Sequence, residues 1–466
     1  MEYLYLIEII IVLLMFIIML LVNLKNRKKV LSWALYDFAN QPFTTLVITF
    51  IYGTFFTKVI ADNEIIGTSL WSRAMTITAI TVALLSPIMG AYADKSGYRK
   101  IFLIFWTYVC VFFTFALYFP IKGQVMLSLI FVILANIGFE MGGVFCNAYL
   151  PDLAPKHKIG RISGYGWSLG FVGGLISLAI SLLFFIQPDE PIFGLSKIQG
   201  ENIRATNLLV ALWFIFFSIP AFIFLDSDKN YNRNKRSVLN QSIKQIKKTF
   251  KEIIIYKHLI RFLIARIFYN DGLVTIFAFG GIYAAGTFDF SFEEIMIFGI
   301  VLNVCAGLGA FCLGFLDDVI GGKKTIQISN IGLIIACLIA VFIPNKNLFL
   351  LNIPFINHES IITGKTFFWV SGILIGIFSG PNQASSRSMM ARLIPRGREN
   401  EFFGFYAFTG KATAFVGPML LGILTEIFKS QRYGVSVVML MFLIGAIILN
   451  FVDEKEGIKY ASKSVE

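Results

Sequence analysis

The 466-residue sequence predicts an all-α membrane protein: two six-helix bundles joined by a basic linker and preceded by one extra N-terminal spanning helix. Three observations predict it. Hydrophobic residues make up 57% of the chain and charged residues 15%, with a mean hydropathy of +0.75, whereas soluble domains carry about a quarter charged residues. Apolar runs of the roughly 20 residues needed to cross a bilayer core recur along the whole chain. Three polar loci also appear twice, in the same order, once in each half.

Residues 3–24 are apolar but for Glu8 and are followed by Lys25, Arg27, Lys28 and Lys29. A cleaved signal would need a basic start, a shorter apolar core and a small-residue cleavage site, so this run is expected to be a retained spanning helix. Further runs follow at 33–58, 74–93, 101–119, 124–149, 162–186, 207–225, 259–285, 294–316, 325–343, 366–390, 402–427 and 434–452. Alternate loops hold 27 of the 40 Lys and Arg, and the opposite loops nine. Basic loops stay cytoplasmic, which places both ends of the twelve-helix unit inside. The expected divisions are 1–29 (leader and basic linker), 30–225 (first bundle), 226–258 (cytoplasmic linker), 259–453 (second bundle) and 454–466 (tail). In the linker, Ile243, Ile246 and Phe250 at helical spacing among nine basic residues predict an amphipathic helix lying on anionic lipid, with a regulatory docking site as the alternative.

The clearest repeat is Gly90-x-x-x-Asp94-x-x-Gly97-x-Arg99-Lys100, which returns as Gly314-x-x-x-Asp318-x-x-Gly321-x-Lys323-Lys324 at an offset of 224 residues. Tyr36-Asp37 matches Tyr269-Asn270, and Leu153-Ala-Pro155 with Gly164 and Gly170 matches Leu393-Ile-Pro395 with Gly404 and Gly410. In the first copy, glycines at 90 and 97 permit close approach and a tight turn. Asp94 is expected near the start of the next helix, where a carboxylate suits the helix dipole. Arg99 and Lys100 are expected to meet loop carboxylates or headgroups. Gly90, Asp94, Gly97, Arg99, Lys100, Gly314, Asp318 and Lys323 thus form a candidate gate, a breakable charge latch, against the blander reading of a headgroup-anchored turn. Val319 and Ile320 replace the Lys95-Ser96 pair in the second copy, so the first latch is expected to be the stronger.

A formal charge of +12 in such an apolar chain reads as cytoplasmic loops, not a nucleic-acid surface. The five cysteines lie within apolar runs and the three histidines are isolated in loops, so no metal site, disulfide framework or cofactor is expected. No P-loop, Gly-x-Ser-x-Gly or His-Glu-x-x-His is present, and an enzyme is disfavoured. Ionisable groups at membrane depth are costly and mark function. Here they are Asp37, Glu140, Arg266, Asp271, Arg387 and Lys411, accompanied by Asn40, Asn147, Asn270, Asn303, Asn382 and Gln383. Counted along the helices, Asp271 and Lys411 lie nearest the midplane and Asp37, Arg266 and Arg387 towards the cytoplasm. Three acids and three bases suit a zwitterionic solute, or equally a set of internal salt bridges that open and close. Glu140 and Asp271 are the candidates to carry a proton, with uniport left open. Gly380-Pro381, just before Asn382-Gln383, is the expected hinge.

The first loop copy resembles the signature between the second and third helices of the major facilitator superfamily. Ser32-Trp-Ala-Leu-Tyr-Asp37-Phe-Ala-Asn40, Asn147-Ala-Tyr-Leu-Pro151-Asp-Leu-Ala-Pro155 and the stretch from Gln383-Ala-Ser-Ser-Arg387 to Gly410-Lys411 resemble, more narrowly, the vacuolar amino-acid effluxer (autophagy-related) family and its bacterial relatives. The leader helix and the weaker second loop depart from that pattern. The resemblance implies a central cavity lined by helices 1, 4, 7 and 10, the helices that carry most of the polar residues above. It also implies alternating-access export of amino acids or similar small metabolites. The implied setting is a bacterial-type inner membrane, or a vacuolar or other organelle membrane, with a small-molecule substrate, protons and lipids as partners and a monomeric state. A proton-linked sugar or drug transporter of the same fold, and a non-transporting sensor or scaffold, are the competing expectations.

Overall fold

The computed structural model describes residues 26–228, 235–251, 256–343, 347–351 and 360–463. The expected leader span at 3–24 lies outside the described residues, as do linker positions 229–234 and 252–255. Twelve spanning elements follow: α1 (Arg27–Ile60), α2 (Glu64–Ser96), α3 (Arg99–Ala116), α4 (Val125–Asn147), α5 (Ile159–Ile180, extended by a wide turn at Ser181–Ile186), α6 (Glu201–Phe224), α7 (Lys257–Phe288), α8 (Phe292–Ile320), α9 (Gly322–Phe342), α10 (Gly364–Leu393), α11 in two pieces, α11a (Glu399–Lys411) and α11b (Val416–Phe428), and α12 (Gln431–Asn450). A linker helix (Lys235–Lys251) and a tail helix (Glu454–Lys463) lie on the cytoplasmic side. Eleven spans, α11 counted once, are long and apolar enough to cross a membrane. α10 is equally long at 30 residues but polar in its second half, PNQASSRSMMAR, nearly all of it buried inside the protein and away from lipid. The all-α expectation holds for every span, with one addition: β1 (Asn347–Leu351) and β2 (Ser360–Thr363) form an antiparallel hairpin between α9 and α10.

α1 packs on α5 and α6, and α3 on α4 and α6; in the second half α7 packs on α12, α9 on α10 and α12, and α8 on α10. Outward-facing Phe105 and Phe112 on α3 are 53% and 65% exposed, as lipid-facing residues should be. Between the halves, α2 packs on α11a and α5 packs on α8 and α10. Glycines permit these approaches: a Cβ on Gly90 of α2 would stand 2.2 Å from the Asn400 carbonyl oxygen of α11a.

α1 is irregular for a readable reason. Pro42 has no N–H to give the Phe38 carbonyl, and that oxygen instead accepts from Trp213 Nε1 of α6 at 3.1 Å. Beyond Pro42 the helix widens into π turns at Phe43–Phe50, a distortion common at functional sites.

A cytoplasmic double gate and an intramembrane charge cluster

Both aspartates of the repeated motif lie in the last turn of their own helix, not at the start of the next, because α2 and α8 run on to Ser96 and Ile320. Gly97 (φ 71°) and Gly321 (φ 93°) then turn the chain in backbone regions that favour glycine. Asp94 Oδ1 accepts from the Asn400 backbone N–H at 3.1 Å and its Nδ2 at 2.7 Å, and Oδ2 from the Glu401 N–H at 2.9 Å. Asp318 Oδ1 accepts from the Gly160 N–H at 2.8 Å, and Oδ2 from the Arg161 side chain. Each carboxylate therefore caps the cytoplasmic end of a helix in the opposite half, α11a for Asp94 and α5 for Asp318, satisfying orphan N–H groups.

Arg99 meets loop carboxylates, as expected, and Lys100 a loop carbonyl. Arg99 donates to Ala148 O at 2.8 Å and pairs with Asp152 at 2.8 Å and Asp228 at 2.6 Å, and Lys100 donates to Leu225 O at 2.7 Å. They tie the first bundle's own loops together, as Lys323 ties α9 to Asn450 O of α12. Burial holds the Asp228 carboxyl above the usual carboxylate range, against the pull of Arg99.

The expected ranking of the two latches is reversed. Asp94 meets only neutral donors, whereas Asp318 holds a guanidinium as well as backbone. It also borders Arg392, which pairs with buried Asp317 and donates to the Lys156 carbonyl across the halves at 2.9 Å. Glu454 of the tail helix caps α9 through the Gly322 and Lys323 N–H groups at 3.1 and 2.9 Å. The linker helix also departs from expectation. Its buried stripe is Val238, Ser242, Gln245 and Thr249, with Gln245 and Thr249 hydrogen-bonded to Glu401 at the start of α11a and Ser242 near Ala91 O of α2. Ile243, expected to face lipid from that helix's apolar side, points outward at 42% exposed, consistent with that expectation. Asp317, Arg392, Glu401 and Glu454 were missed because their partners lie on other elements, although the Asp317-Asp318 doublet was visible.

Deeper in the membrane, four of the six charges form two pairs, both between halves. Arg387 Nη1 reaches Asp37 at 2.7 Å and Asn147 Oδ1 at 3.2 Å, its Nε donates to Ser163 Oγ at 3.0 Å and its Nη2 to Ser163 O at 2.8 Å. Its guanidinium also lies 4.6 Å from the Trp33 ring. Lys411 pairs with Glu140 at 2.6 Å. Arg266 and Asp271 have no ion-pair partner among the described residues. Asn382 is turned away from this cluster, donating to Asn330 of α9 at 2.8 Å. Gln383 bends back to Ser379 O at 3.4 Å, and Asn40 is buried on α1.

No break marks the hinge expected at Gly380-Pro381. α10 is continuous through it, and a Cβ on Gly380 would sit 2.0 Å from Ala306 O of α8, so that glycine serves close packing. α11 is the broken helix, interrupted between Lys411 and Val416. Pro418 denies an N–H to the Ala414 carbonyl, four residues earlier. Two neighbours on α7 brace the break: Asn270 donates to Gly410 O at 3.3 Å and Asp271 accepts from Thr413 Oγ1 at 3.5 Å.

Residues 59–462 match the family model described as vacuole effluxer Atg22 like. The chain belongs to that family. Among its Atg22-like relatives, an uncharacterised MFS-type transporter, YxiO of Bacillus subtilis, is 28% identical over 91% of this chain and 94% of its own length. Autophagy-related protein 22 of Vanderwaltozyma polyspora is 22% identical, covering 94% and 93%. Among solved structures, the proton:xylose symporter XylE superposes with a TM-score of 0.66 at 14% identity (93% of this chain, 96% of that one). FucP in its outward conformation gives 0.67 at 12% identity (92% and 98%). The fold is that of the major facilitator superfamily, and this Atg22-like chain is a multi-pass membrane transporter of a small molecule, not an enzyme.

Proposed function

We propose that the chain exports amino acids or similar small metabolites by alternating access, in a bacterial plasma membrane or a vacuolar membrane, with proton movement coupled to the cycle. The observation that supports it is that four carboxylates on or near the cytoplasmic side each bind the opposite half: Asp94 to α11a, Asp318 to α5, Asp37 to Arg387 and Glu140 to Lys411. Opening that side by rocking the halves apart breaks all four together. A carboxylate that loses its cation at membrane depth takes up a proton at far lower cost than it stays charged, which makes Glu140, freed from Lys411, the coupling residue of this scheme and Asp271, uncompensated throughout, the second.

The family description names an effluxer, in keeping with export. Counterflow in proteoliposomes with a labelled panel of amino acids, sugars and cationic drugs tests the reading. Accumulation of amino acids, abolished under a pH gradient but not in exchange by Glu140→Gln or Asp271→Asn, is expected. Flux of sugars or drugs alone, or pH-driven flux surviving both substitutions, would sink the substrate class or the coupling respectively.

A further inference from the structure

Of the charges in the central cluster, Arg266 has the guanidinium that is left over among the described residues. It is 8% exposed, lies 3.5 Å above the Tyr406 ring of α11a, and has no carboxylate within 4.0 Å among the described residues. Its Nη1 alone is used within the protein, donating to Tyr406 O at 2.7 Å and to Thr409 Oγ1 at 3.2 Å. Nε and Nη2 have no hydrogen-bond partner among the described residues. Those two nitrogens form one edge of the planar fork, the edge that grips a carboxylate with two parallel bonds. Gly410 lets the other end of the guanidinium sit close to α11a: a Cβ there would stand 3.0 Å from Nη1 and 3.1 Å from Nη2.

A clamp on the Tyr406 carbonyl does not require a cation. Keeping a buried charge at this depth without a counter-charge is expensive, and Arg387 shows what a fully partnered arginine looks like here, with Nε, Nη1 and Nη2 all bonded and a carboxylate at 2.7 Å. Ring stacking and one carbonyl orient the Arg266 fork and leave its other edge open.

We propose that Arg266, oriented by Tyr406 and seated against Gly410, is the receptor for a carboxylate group of the transported solute. This rests on the transporter reading above and adds the chemical group that the solute must carry. Sitting on α7 against α11a, next to the brace at Asn270 and Asp271, the receptor places the solute beside the break in α11.

The test uses the full chain in proteoliposomes, with the solute found by the flux panel competed by matched analogues: for leucine, 3-methylbutylamine lacking the carboxylate and 4-methylpentanoate lacking the amine. The carboxylate-bearing analogue is expected to compete and the amine not to. Arg266→Gln should raise KM by about 10- to 100-fold, the loss expected for a charge-assisted contact. Arg266→Lys should retain part of the affinity as a point charge without the fork, and Gly410→Ala should raise KM by less than Arg266→Gln. Ligand-induced thermal stabilisation of the same variants in detergent gives a binding readout that does not depend on turnover, and Gly410→Ala carries the test if Arg266→Gln does not fold. Equal competition by the amine, or an unchanged KM in Arg266→Gln, overturns the receptor while leaving amino-acid transport standing. Transport of deaminated carboxylates alone upholds the receptor and overturns the amino-acid reading; a solute with no anionic group overturns both.

Discussion

Asp318→Asn should open the cytoplasmic side more than Asp94→Asn. The Asp318 carboxylate accepts from Gly160 N–H and from the Arg161 guanidinium, and neutralising it removes a charge-assisted bond worth about 2 kcal/mol, the lower part of the usual range because Arg161 is 29% exposed. That moves the open-to-closed ratio about 30-fold. Asp94 holds only neutral donors, two backbone and one amide; an asparagine keeps one acceptor oxygen, and the loss is about 1 kcal/mol, or about 5-fold. The assay is electron–electron double resonance between spin labels at His157 and Arg396, exposed residues on cytoplasmic loops of opposite halves. The long-distance population should rise strongly with Asp318→Asn and modestly with Asp94→Asn. An equal rise, or a larger one with Asp94→Asn, would refute the reasoning.

Three further outcomes follow from the same geometry. Asp37→Asn leaves Arg387, 3% exposed, without its counter-charge, at a cost of about 3–5 kcal/mol; folded yield by fluorescence-detected size exclusion should fall sharply and recover in part when Arg387→Gln is added. Gly90→Ala drives a methyl to 2.2 Å from Asn400 O, so α2 and α11a cannot stay in contact, and the same spin-label pair should report a predominantly open cytoplasmic side with little loss of fold. Hydrogen bonds from Lys257 and His258 hold the Glu456 carboxyl below the usual glutamate range. That contact therefore stabilises tail docking above the unfolded value of about 4.3 and is lost as pH falls through the depressed folded value. Amide protection factors over 454–463 should be high at neutral pH and fall once pH drops through that depressed value.

The spans were legible because hydropathy and loop charge act locally, and the two-bundle plan was legible because the repeats survive in both halves. Asp94 and Asp318 stood out in the motif as candidate gate residues. Their partners were not: Asn400 lies 306 residues from Asp94 and Gly160 lies 158 from Asp318, and no local pattern announces a cap supplied across a bundle interface. The balance of three acids and three bases was readable, but two arrangements fitted it, and only the tertiary pairing separates the four charges that bind each other from Arg266 and Asp271. The break in α11 was illegible for a similar reason. Pro381 looks more disruptive than Pro418, yet packing against α8 holds α10 together around it, while the segment before Pro418 finds its partners on α7.

The two caps are alike in principle and unequal in surroundings, and the cytoplasmic helices account for the difference. At the α5 cap, Arg392 joins Asp317, Asp318 and Glu454 of the tail helix, so the strong side of the gate is built into the second bundle and its tail. At the α11a cap, the weaker carboxylate is backed by the linker helix, whose Gln245 and Thr249 hold Glu401 while Ser242 approaches Ala91 of α2. The linker helix thus rests on both members of the α2–α11a contact, one from each half. When those helices part, it can remain with one of them only, so release of the linker helix is a necessary part of opening the weaker side, and anything that favours its undocked state lowers the cost of that step.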